Sequence, residues 1–275
     1  MAGSRQTGTG STPRSIPWPI DQPGHDLPWF SPPANLALTS DEVHLWRASL
    51  DLPASVIDGM ARVLSDDERA RAGRIALDQA RERFVAGRHI LRTILGRYLG
   101  LTAERVELTY GPQGKPELVP DLACGCLAFS LTHSRNLALV AVASGRAVGV
   151  DVEFLRPVPD VAGLVARVFS AREQAEYCDL PPGRRLEAFY RGWTAKEAWL
   201  KARSTGLTWP PNWFSVSLAV DAPLRLLEVA GDPEAPDRWV LASFTAGPGF
   251  LGALAVDGRD LRLASLNYSL ESPQA

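Results

Sequence analysis

The chain has 275 residues, 45% of them hydrophobic and 22% charged, with a formal net charge of -2. That length allows one large domain or two small ones, and the balanced charge gives no basic footprint for nucleic acid. No apolar run is long enough for a membrane helix, the N-terminal MAGSRQTGTGSTPRS lacks the apolar core of a secretory leader, and Cys124, Cys126 and Cys178 form no CxxC pair. Buried free thiols and a cytoplasmic location are therefore expected, with no membrane and no nucleic acid among the partners.

Residues 1–39 are rich in Pro, Gly, Ser and Thr and read as a largely irregular N-terminal arm, whose Trp18, Trp29 and Phe30 suggest packing on the body. VHLWRASL (43–50) alternates as a first strand. Ser65 with Glu68 is a capping box that opens an Arg-rich helix. A second helix is expected over 78–99, stopping before Gly100. VELTYG (106–111) reads as a strand, and 137–153 as a hairpin turning at Ser-Gly-Arg. Ser170 with Glu173 opens another helix, and 183–203 carries the longest helical pattern. Strand patterns return in FSVSLAV, RWVLASFTA and GALAVDG. Helices and strands mix without strict alternation, which predicts an α+β fold. A division into an arm (1–39), an N-terminal half (40–145) and a C-terminal half (146–275) fits that order.

Chemistry concentrates in a few stretches. In GVDVE (149–153), Asp151 and Glu153 point to one face of a strand and Val150 and Val152 to the other. Paired carboxylates repel unless a cation lies between them, and their oxygens suit a hard ion such as Mg2+; a solvated strand end is the plain alternative. In WTAKEAWLKA (193–202), Trp193, Glu197 and Lys201 are four residues apart and share one helix face. Thr194 to Glu197 also matches a capping box, while an apolar stripe of Leu186, Phe189, Tyr190, Trp193 and Leu200 argues that the helix runs through. The residues alone leave both readings open. Lys115 lies on the GPQGKPEL turn, which is no Walker A loop because Pro116 stands where Ser or Thr is required. FSLTHS (129–134) places Thr132 and His133 just before the hairpin. Eight arginines between Arg69 and Arg97 form a cluster, mostly surface, with capacity to hold phosphate.

Taken in order, LSDDERARAGRI, RERFVAGRHILRTILGRYLG, GKPEL, FSLTHS, GVDVE, RVFSAREQAEY and FYRGWTAKEAWLKA followed by GL resemble the 4′-phosphopantetheinyl transferases of the larger, surfactin-synthetase-activator type. The resemblance covers about residues 64–220, and the GVDVE and WxxKEAxxK pair is its specific part. It implies two similar α+β halves with coenzyme A and magnesium (or manganese) between them. It implies transfer of the phosphopantetheine arm of coenzyme A to a serine of an apo acyl or peptidyl carrier protein, by a monomer, with release of adenosine 3′,5′-bisphosphate. Asp151, Glu153 and Glu197 match the metal-binding acids, Glu197 also the general base, and Lys201 a pyrophosphate-binding lysine. Arg83, Lys115, Thr132 and His133 match coenzyme A contacts, with Arg83 and His133 near the 3′-phosphate, and Lys196 joins the phosphate-binding set. Ser130 and Thr132 depart from the Asn and Ser that many members carry. A non-catalytic module that binds coenzyme A or a carrier protein, a magnesium-dependent phosphohydrolase and a structural protein with surface acids are the competing readings.

Overall fold

The computed structural model describes residues 13–18, 26–111, 114–123, 126–204 and 209–270. The fold is α+β, as expected, built as four layers: helices, a five-stranded sheet, a three-stranded sheet, helices. The five-stranded sheet contains, in spatial order, β1 (Ile16–Trp18), β12 (Leu261–Asn267), β2 (Glu42–Ser49), β6 (Leu137–Ser144) and β5 (Leu127–Ser134). The three-stranded sheet contains β10 (Trp239–Gly247), β11 (Phe250–Asp257) and β7 (Val148–Phe154). Strand alternation sorts side chains between layers. Val43 and Leu45 of β2 join Val148, Val150 and Val152 of β7 in the core between the sheets, while Trp46 and Ala48 face the first helical layer.

That helical layer comprises α1 (Ala54–Ala61), α2 (Asp66–Gly73) and α3 (Asp78–Leu99). α2 opens with the Ser65/Glu68 capping box, and α3 ends at Gly100, whose left-handed φ of 66° suits a residue without Cβ. The second layer comprises α5 (Val161–Val168), α6 (Ala171–Asp179) and α7 (Pro182–Ala202). Pro182 sits in the first turn of α7, where its missing N–H costs nothing. Short ribbons follow each long helix: β3 (Leu108–Tyr110) with β4 (Pro116–Leu118), and β8 (Phe214–Val216) with β9 (Leu226–Val229). A 3-10 turn precedes each ribbon (Ala103–Arg105 and Pro211–Trp213) and a small helix follows it, α4 (Pro120–Ala123) and α8 (Ala235–Arg238), so the order from β2 to β6 recurs from β7 to β11.

The structure differs from the sequence expectations in three places, the 137–153 segment, β12 and the cysteines, and agrees on the arm. Residues 137–153 are not a hairpin: β6 and β7 belong to different sheets, and Gly145 (φ 68°) turns the chain from one to the other. Both segments are apolar on their inner faces because they meet across the inter-sheet core, and a period-2 pattern does not say which partner is bonded. The arm packs on the body as its aromatic residues suggest, with β1 paired to β12 and Trp18 buried; residues 1–12 and 19–25 lie outside the described set. β12 crosses back to pair in parallel with β2, so the end of the 146–275 segment completes the first sheet. Cys126 and Cys178 are free but exposed, and Cys124 lies outside the described residues.

Candidate active site

The site lies where β5, β7 and the two long helices meet. β7 is an edge strand, and on its free side the Ser130 and Ser134 hydroxyls of β5 accept the backbone N–H groups of Val150 and Phe154, each at 3.2 Å. Side chains thus take the place of a neighbouring strand. On the other side α7 crosses β7 in contact with Gly149: a Cβ there would stand 1.9 Å from the Ala198 carbonyl oxygen and 2.4 Å from the Ala202 nitrogen. Only glycine allows this approach, and it brings Asp151, two residues on, beside the last turns of α7.

Asp151 is buried, and its Oδ1 accepts from Lys201 Nζ at 2.6 Å and from Thr132 Oγ1 at 2.9 Å. Lys201 Nζ also donates to Thr132 Oγ1 at 3.2 Å. Asp151 Oδ2 is buried with no hydrogen-bond partner. Glu153 accepts from Ser134 Oγ at 2.9 Å. Burial raises the pKa of Glu153, opposed by the Ser134 bond and reinforced by Asp151. Burial also raises that of Glu197, reinforced by the Asp151 and Glu153 charges and opposed by Lys201. α7 is continuous from Pro182 to Ala202, and the Thr194 hydroxyl donates to the Tyr190 carbonyl, so Glu197 closes no helix N-terminus. Trp193, Glu197 and Lys201 share the half-buried face of the helix.

Beside these groups opens a cavity of about 410 Å³. Leu50, Phe84, Leu131 and Ala138 give it an apolar wall, and Arg71, Arg83, Arg88, Lys115, His133 and Lys201 supply cationic or protonatable side chains, with Glu197 at the same rim. Chain segments far apart in sequence therefore converge as one basic pocket with a single acid, Glu197, in its lining and Asp151 joined to it through Lys201, a shape suited to an extended polyphosphate ligand.

The comparisons decide the family. The description "4'-phosphopantetheinyl transferase superfamily" belongs to a family model that matches residues 147–254, the span from β7 into β11 that carries Asp151, Glu153, Glu197 and Lys201. The 4'-phosphopantetheinyl transferase HetI of Nostoc sp. is 41% identical over 236 residues, covering 84% of this chain and 94% of that protein. The chain belongs to the 4′-phosphopantetheinyl transferase superfamily.

This transferase is also 26% identical over 208 residues to the 4'-phosphopantetheinyl transferase of Bacillus subtilis, covering 72% of the chain and 89% of the relative. AcpT of Escherichia coli K12, another 4'-phosphopantetheinyl transferase, is 37% identical over 129 residues, covering 47% of the chain and 60% of the relative. Membership makes the protein an enzyme of the transferase class with coenzyme A as co-substrate and carrier proteins as acceptors. Among the described residues no helix is long and apolar enough to cross a membrane.

Of the transferase residues expected from sequence, Arg83, Lys115, His133, Glu197 and Lys201 line the cavity. Arg83 is held by Asp51 at 2.8 and 3.2 Å. Lys115 donates to the Lys201 carbonyl oxygen at 2.7 Å and to Ser204 Oγ at 3.1 Å, so the turn after β3 is tied to the end of α7. His133 titrates below its ordinary value through partial desolvation, then repulsion from Lys201, Arg88 and Arg83. Thr132 spends its hydroxyl on Asp151 and is not a cavity-lining side chain.

Lys196 is removed from the phosphate-binding set. It is fully buried on the far side of α7, bound to Glu173 at 2.8 Å and to the Pro211 and Phe214 carbonyl oxygens at 2.8 and 2.6 Å. Residues 196 and 197 are about 100° apart around a helix, and here that step carries Lys196 into the core while Glu197 lines the cavity. The arginine cluster also divides. Arg92 is buried against Glu68, and Arg69 and Arg81 pair with Asp66 and Asp78. Arg88, nearly buried, stacks on Phe84 and Tyr110 with Nη1 unpartnered, and sequence reading did not single it out. Its signal was its place four residues after Phe84 on one helix face.

The donor set fits a hard cation. Among the described residues no three acidic, His or Cys side chains stand together as a finished metal cluster, and Lys201 supplies the counter-charge to Asp151. Yet Asp151 Oδ2 is orphaned and buried, and Glu153 and Glu197 have pKa values raised by burial and then by repulsion from Asp151. A divalent ion relieves both conditions.

Proposed function

We propose that the chain moves the phosphopantetheine arm of coenzyme A onto a serine hydroxyl of an apo acyl or peptidyl carrier protein and releases adenosine 3′,5′-bisphosphate. It does so as a cytoplasmic monomer of the surfactin-synthetase-activator type, using a site between the halves 40–145 and 146–275. The observation that carries this reading is the single cavity that joins Arg83, Arg88, Lys115, His133 and Lys201 to Glu197, with Asp151 and Glu153 behind it.

Asp151, Glu153 and Glu197 would hold Mg2+, or Mn2+ in its place, which when bound neutralises charge on pyrophosphate oxygens. Lys115 and Lys201 bind the pyrophosphate as point charges. Arg83 and His133 hold the nucleotide's 3′-phosphate, and Leu50, Phe84 and Ala138 exclude water beside the nucleotide. The serine oxygen forms a bond to the phosphorus that carries pantetheine. The bond from that phosphorus to the oxygen bridging it to adenosine bisphosphate breaks, and the leaving group keeps the electron pair. The serine proton passes to Glu197, the carboxylate that lines the cavity beside Lys201. Lys201 stabilises charge on the leaving group.

Intact mass spectrometry of apo acyl and peptidyl carriers, incubated with the protein, coenzyme A and Mg2+, tests this. A phosphopantetheine-sized gain that EDTA abolishes supports the reading. Coenzyme A binding without transfer to any carrier would make the chain a binding module instead.

A further inference from the structure

We propose that Ser134 is a positioning residue that fixes the Glu153 carboxylate for metal binding. The inference rests on the metal reading above and deepens it. Strand β5 presents Ser130, Thr132 and Ser134 to one side, toward β7. Each makes a different contact. Ser130 holds only backbone, through the Val150 N–H. Thr132 serves Asp151 but also accepts from Lys201. Ser134 alone grips both a site carboxylate and the main chain next to it: its Oγ donates to Glu153 Oε2 at 2.9 Å and accepts from Phe154 N at 3.2 Å.

A hydroxyl has one proton and two lone pairs. The Phe154 amide occupies the acceptor side of Ser134, which sets the direction of its single proton, and that proton goes to Glu153. The carboxylate is thereby anchored to its own strand through a two-bond clip. It loses the rotation that would otherwise have to be frozen when a cation binds. Hydrogen-bond partners of metal-binding carboxylates behave in this way, and their loss typically weakens metal binding by about 10–100-fold.

The measurement is Mn2+ binding to the full chain without coenzyme A, followed by loss of the free-ion paramagnetic resonance signal. Ser134→Ala should weaken Mn2+ about tenfold while coenzyme A affinity in EDTA stays unchanged. Ser134→Thr, which keeps the hydroxyl, should restore the wild-type value. Adding Ser134→Ala to Glu153→Gln should weaken Mn2+ no further than Glu153→Gln alone, because Ser134 acts through that carboxylate. If Ser134→Ala fails to fold, Ser134→Cys gives the same reading, since it keeps the size and loses the strong donor. Wild-type Mn2+ affinity in a folded Ser134→Ala protein overturns the inference, as does an additive double variant, because either leaves Ser134 only as a staple between strands. Absence of Mn2+ binding by the unsubstituted protein overturns the metal reading itself, and this inference with it.

Discussion

The two long helices are built alike and used differently. α3 and α7 each follow a capping-box helix, and each carries a buried cation pinned to that box's glutamate: Arg92 to Glu68 and Lys196 to Glu173, both at 2.8 Å. Each cation also binds a carbonyl ahead of or within the next ribbon, Val106 for Arg92 and Phe214 for Lys196. Beyond that shared clamp they diverge. α3 turns Arg83, Phe84 and Arg88 to the cavity, a set for holding an anion. α7 turns Glu197 and Lys201 to it, an acid beside a base, to which the proposed function gives the proton transfer and the leaving group. One scaffold, fixed by a buried ion pair, thus presents two arginines and a phenylalanine to the cavity in one place and a carboxylate with a lysine in the other.

The comparison can be broken most forcefully on α7. Glu197→Gln should lower the rate of carrier modification by roughly 10²–10⁴-fold, the usual span for a general base, with coenzyme A still bound; a mass-spectrometric time course reads it. Near-wild-type turnover would strip α7 of its chemical role. Next in size is the clamp. Lys196→Ala leaves Glu173 buried without its cation, and such losses typically cost about 3–5 kcal/mol, measured by urea unfolding. Were Lys196 a phosphate ligand, the KM for coenzyme A would rise and stability would hold.

A smaller effect belongs to the first half, where His44 is buried against Tyr98 and Glu42. Burial lowers its pKa from 6.5 to about 4, against the pull of Glu42. The unfolded chain therefore takes up a proton that the folded one refuses. Stability should fall as pH drops from about 6.5 through about 4, by up to about 3 kcal/mol, and then level off for this group. Urea titrations across that range on the wild type and on His44→Gln should diverge in slope. Smallest of all is Trp193→Phe. Trp193 stacks on Phe189 with ring centroids 6.2 Å apart and is not a cavity-lining side chain, so coenzyme A affinity should stay near normal by calorimetry.

Local features were the most legible in the sequence. The 78–99 helix, both capping boxes and the alternation of Asp151 with Val150 follow from spacing alone, because each is set by neighbours a few residues away. The pairing of Glu197 with Lys201 on one face was equally plain, but whether the helix ran through them needed tertiary packing, here the contact of Gly149 with α7. Partner choice was not legible. The apolar runs on either side of Gly145 look like a hairpin, and only the two-sheet core separates them. Lys196 was misjudged for a related reason. Its chemistry suits phosphate as well as it suits Glu173, and its side of the helix decides. Ser134 needed the register between β5 and β7, which no local rule supplies.

The parallel pairing of β12 with β2 carries a consequence for synthesis. β12 lies between β1 and β2, so the first sheet lacks an interior strand until residues 261–267 have been made. Chains grow from the N-terminus at about 5–20 residues per second, and β2 therefore spends roughly ten seconds or more with an open edge, a template for pairing with other chains. The first half cannot close on the ribosome ahead of the second. The strand that finishes the first sheet is made only after β7, β10 and β11 of the second, so the half that begins first is the half that is completed last.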